Sequence, residues 1–138
     1  MLINALARTP DIRDLDAGEA RLVTALRLWV VMSKLGHCPL QAVADRLASV
    51  RAAAHLHLML EEIGAAWPDP FCIAPPCCSR LSHDEALASD MVRAACREDR
   101  VAFDLLLRDM LAADLRDRLY VSAGSLGRAM AFDSGAWA

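Results

Sequence analysis

At 138 residues and 15.0 kDa the chain has the size of one domain, long enough to bury a core without obligatory metals or disulfides. Its 26 Ala and 21 Leu, against 8 Val, 4 Ile and 2 Thr, favour helix and argue against a β-sheet protein. The net charge of −3, with 14 Arg and one Lys spread along the chain, excludes the concentrated basic patch that nucleic acid requires.

Residues 1–15 carry no sustained period, hold Pro10, and read as a short turn around residues 2–7 followed by a mobile lead-in. Asp16-Ala-Gly-Glu19 then forms a capping box, in which a side-chain oxygen and a Glu three residues later satisfy orphan backbone donors. Leu22, Leu26, Trp29, Val30 and Ser33 continue at helical spacing to Gly36, predicting a first helix over 17–35. The most apolar later stretch, Leu22 to Leu35, is cut by Arg27, so no membrane span is expected. The first residues mix Arg8 and Arg13 with Asp and lack the apolar run of an export signal. Pro39 suits a helix start, and Leu40, Val43, Ala44, Leu47, Val50, Ala54 and Leu58 predict a second, longest helix toward Gly64, with Ser49 as its candidate break.

Pro68, Pro70, Pro75 and Pro76 remove donors and fix φ, so the stretch from Trp67 to Ser82 is a loop of unusual length. Trp67, Phe71, Cys72, Ile73, Cys77 and Cys78 are too apolar for a disordered linker, which predicts a loop ordered against the helices. Ser82-His-Asp-Glu85 repeats the capping box and opens a third helix over 83–97. Asp99 caps a fourth, with Ala102, Leu105, Leu106, Met110 and Ala113 on one face and Phe103, Leu107 and Leu111 widening it, the pattern of a central helix. Leu115, Leu119 and Ser122 continue it or begin a fifth, and residues 134–138 are expected to fray. The fold class is therefore all-α, one domain over 1–138: an irregular bundle of four to five helices with one long ordered Pro/Cys-rich loop.

The densest chemistry is Cys72-Ile-Ala-Pro-Pro-Cys77-Cys78-Ser-Arg-Leu-Ser-His83, where three thiols and an imidazole are the ligand types that Zn, Cu or Fe takes. Three readings stand side by side. Cys72, Cys77, Cys78 and His83 hold a metal, Zn foremost; or a thiolate near Arg80 and the helix start does redox chemistry; or the cysteines behave as small hydrophobes and pack on the core with Phe71 and Ile73. A secondary pair, His57 and Glu61, stands one helical turn apart and could add a nitrogen and an oxygen if the loop packs onto that turn. No phosphate-binding glycine loop, Gly-x-Ser-x-Gly or His-Glu-x-x-His is present, so the reading leans away from an enzyme and assigns no catalytic residue.

At Ala74-Pro-Pro-Cys77-Cys78, set between an Ala/Leu-rich helix ending Glu61-Glu-Ile-Gly and a capped helix, the chain resembles a family of small bacterial Ala/Leu/Arg-rich helical proteins, a domain of unknown function. The resemblance spans residues 18–132. It implies no activity, cofactor or partner, and directs interest to Cys77 and Cys78.

The 56% apolar share and mean hydropathy of +0.27 exceed what one domain of this size needs, so a homo-oligomer is expected, a dimer by default. An odd count of five cysteines without an export signal fits reduced thiols in the cytoplasm. The expectation is a helical binding module that self-associates, without nucleic-acid or membrane partners. Its alternative is a metal-binding or thiol-redox protein centred on the loop from Cys72 to His83.

Overall fold

The computed structural model describes residues 10–133, so the expected turn near the start and the fraying tail over 134–138 lie outside the described residues. Six α-helices follow a 3-10 turn at Ile12–Asp14: α1 Ala17–Lys34, α2 Leu40–Leu47, α3 Val50–Ala66, α4 His83–Cys96, α5 Arg100–Leu107 and α6 Ala113–Ala129. There is no strand among them, and the all-α class holds with a helix count above the four to five expected.

Local chemistry sets most boundaries. Both capping boxes form, Asp16 with Glu19 at α1 and Ser82 with Glu85 at α4. The long second helix divides into α2 and α3, because Ala48 adopts the left-handed conformation (φ 56°) and Ser49 accepts from the Ala52 amide at 3.0 Å to begin anew. Glu98 (φ 57°) ends α4 in the same way, and Asp99 caps α5.

α6 lies against both α3 and α4, while α2 bridges α1 and α3. Leu22, Leu26, Leu47, Leu56, Met59, Ile63, Met91, Phe103, Leu107, Leu119 and Leu126 fill the shared core and are fully buried. The close approach of α4 to α6 depends on Gly127, where an added Cβ would stand 2.8 Å from the Cβ of Cys96. Gly18 serves the same purpose at the start of α1, where a Cβ would meet the Phe132 carbonyl oxygen at 2.1 Å.

Two expectations are corrected. The pattern of the fourth helix predicts a central position with more than one buried side, but α5 ends at Leu107 and buries only Phe103 and Leu107, leaving Val101 and Leu105 exposed. The central position belongs to α6. The lead-in over 1–15, expected to be mobile, is pinned over residues 10–15: the Ile12 amide donates to Ser79 O at 2.7 Å, and the Leu81 amide donates to Pro10 O at 3.1 Å.

Candidate functional site

The Pro/Cys loop between α3 and α4 is held by charge from outside itself. Arg27 on α1 and Glu85 on α4 are 3% and 0% exposed, and they pair through Nε to Oε2 at 2.8 Å and Nη2 to Oε1 at 3.0 Å. A fork-on-fork pair of this kind satisfies two charges that burial alone would penalise heavily. The Glu85 hydrogen bonds outweigh desolvation and push the Arg27 pKa above its ordinary value, so the guanidinium stays charged.

Both partners reach on into the loop. Arg27 Nη1 donates to Cys78 O at 2.6 Å and Nη2 to Arg80 O at 3.0 Å. Glu85 accepts from the Ala74 amide at 3.2 Å and the Ser82 amide at 2.8 Å. Farther out, Asp84 accepts from the Cys72 amide and the Ser82 hydroxyl donates to Cys72 O, each at 2.7 Å. Trp67 and Phe71 meet edge-on with ring centres 5.3 Å apart, and Phe71 and Ile73 pack against the core. The loop is ordered for the expected reason, burial of its apolar residues, and for a second that the sequence reading missed.

The cysteines do not follow Phe71 and Ile73 inward. Cys72 and Cys77 are exposed, and Cys78 is half-buried with its thiol donating to Arg80 O at 3.3 Å, so packing of these thiols as core hydrophobes is corrected. The main chain beside them is bound from the protein side, Cys72 O accepting from the Ser82 hydroxyl and Cys78 O from Arg27 Nη1. His83 is exposed at the first position of α4. Among the described residues no three His, Cys, Asp or Glu side chains converge as a set that could hold a metal ion, so Cys72, Cys77, Cys78 and His83 are not brought together.

His57 and Glu61 do face each other, with Nε2 and Oε1 3.9 Å apart, a separation beyond a hydrogen bond. The His57 ring stacks on Trp29 of α1, with centres 5.3 Å apart, rather than turning to the cysteine loop. Cys96 lies half-buried on α4, where burial and the charge of Asp133 push its thiol pKa up.

Arg27 and Glu85 are the residues that reading from sequence overlooked. Arg27 registered as an interruption in an apolar stretch, although it stands one turn after buried Val23. Glu85 registered as the last residue of a capping box, a role it fills while also carrying the buried charge. No helix among the described residues is long and apolar enough to cross a membrane. Compared with protein-family models, with curated proteins and with solved structures, the chain matches none.

Proposed function

We propose that this protein is a non-enzymatic helical interaction module that works as a homodimer, with its two-fold contact on α5. The observation that carries the reading is the pair Val101 and Leu105, 72% and 57% exposed and one turn apart, flanked by half-buried Ala102 and Leu106. The face is self-complementary. Glu98 stands before α5 and Arg108 after it, both exposed and without an ion-pair partner among the described residues. Antiparallel pairing of two copies sets Val101 against Leu105 and Glu98 against Arg108 of the second copy, as an isologous contact requires.

Light scattering at micromolar concentration is expected to give a dimer, and Leu105→Glu to give a monomer of unchanged helicity. Glu98→Arg and Arg108→Glu should each weaken the dimer, and the two together should restore it. A wild-type monomer at tens of micromolar, or a Leu105→Glu dimer, would overturn the reading.

A second reading, a metal-binding (Zn, Cu or Fe) or thiol-redox protein centred on Cys72 to His83, is favoured by the exposure of Cys72 and Cys77 on a loop whose main chain is held. Both readings place the protein in the cytoplasm, where its five free cysteines stay reduced. A thiol reagent added to native protein is expected to modify Cys38, Cys72 and Cys77 first, with Cys78 and Cys96 slower. Elemental analysis of protein purified without added metal separates the readings: near-stoichiometric Zn, Cu or Fe, lost on Cys77→Ser, supports the second.

A further inference from the structure

We propose that the cleft where the start of α3 meets the end of α6 binds the phosphoryl group of a small molecule, held between Arg51 and Arg128. Arg51 and His55 stand one turn apart on α3, and Ser125, Arg128 and Ala129 close the cleft from the last turns of α6. Its volume is about 430 Å³, and no carboxylate lines it.

The cleft brings two arginines together with no carboxylate among its lining residues, although Arg46, Arg108 and Arg118 elsewhere also lack an acidic partner among the described residues. Arg13, Arg27, Arg93, Arg97, Arg100 and Arg116 are all paired with Asp or Glu. Arg51 and Arg128 have no carboxylate partner among the described residues, yet they share one cleft in a protein of net charge −3. Arg128 folds back over Gly124, where an added Cβ would stand 3.2 Å from its Nη1, so the missing side chain gives the guanidinium its room.

Two guanidiniums balance a dianion, and their forked donors match its oxygens. The Ser125 hydroxyl and the His55 ring N–H add donors of the right kind, more than the two oxygens of a carboxylate can use. Two cations in one cleft suit a single phosphoryl group rather than a polymer backbone, which needs a stripe. Small-molecule pockets run from roughly 300 to 1,000 Å³, so the cleft leaves space for an organic portion.

The test is amide-resolved NMR titration of the full chain with inorganic phosphate and, separately, ribose 5-phosphate, against chloride at matched ionic strength. Saturable shifts are expected at residues 50–55 and 124–129, with the ester binding more tightly than the free ion. The double variant Arg51→Gln/Arg128→Gln should bind at least about tenfold more weakly, and the double Lys variant should retain part of the affinity. Shifts that track ionic strength alone, saturation elsewhere on the molecule, or unchanged affinity in the Gln variant would overturn the site. Equal affinity for the two phosphates would overturn the small-molecule assignment and name the free ion as the ligand. These residues lie apart from α5, so a monomeric result above leaves this outcome independent.

Discussion

Arg27→Met is expected to destabilise the protein by about 3–5 kcal/mol, the range for breaking a buried ion pair from one side. The loss comes less from missing attraction than from what remains: the fully buried Glu85 carboxylate would keep its two amide donors and lose the cation it pairs with. Glu85→Ala should fall in the same range, since it strands a guanidinium that is 3% exposed. The double variant Arg27→Met/Glu85→Leu should recover much of the global stability, because removing both charges also removes their desolvation cost. It should not recover the loop, where the carbonyls of Cys78 and Arg80 and the amides of Ala74 and Ser82 lose these partners. Urea unfolding measures the first effect, and hydrogen exchange at Ala74 and Ser82 the second. A single Arg27→Met variant within about 0.5 kcal/mol of wild type, the span of an ordinary surface change, would refute the anchoring role.

Gly18→Ala and Gly64→Ala are expected to move stability in opposite directions, although both replace a helical glycine. Helix propensity alone favours each by up to about 1 kcal/mol. At Gly64 nothing lies within 4 Å of the new methyl, so that gain should be realised. At Gly18 the methyl would sit 2.1 Å from the Phe132 carbonyl oxygen, a backbone atom that no rotamer change can move aside. α1 would have to shift from the segment after α6, at about 1–3 kcal/mol for overpacking, and that term wins. Thermal unfolding of the two variants decides it, and a raised melting temperature for Gly18→Ala would show that the contact yields.

Features written in adjacent residues were legible beforehand. Asp16 with Glu19 and Ser82 with Glu85 each announce a helix start through side chains that satisfy amides three residues away. Phe71 and Ile73 announce an ordered loop, because a stretch that apolar does not stay in water. Features resting on chain-distant partners were not. The helix ends at Ala48 and Glu98, in a conformation usually given to glycine, were legible only through the caps that follow them, Ser49 and Asp99. The path of the main chain at Cys78 is held by a guanidinium 51 residues before it, and no spacing within the loop reveals it. The Arg51 and Arg128 cleft likewise exists only once α3 and α6 lie together.

The anchoring of the Pro/Cys loop separates its path from its identity. Arg27 and Glu85 grip carbonyls and amides, groups that almost every residue type carries, so the scaffold specifies the route while leaving the outward side chains open to change. Cys77 and its neighbour Ser79 can diversify without disturbing the frame, provided the turn closed by the Cys78 amide on Pro75 O persists. The outward positions of this segment, Cys77 and Ser79, are thereby a natural grafting platform, on which new surface chemistry can be tried by drift or by design while the fold beneath stays intact.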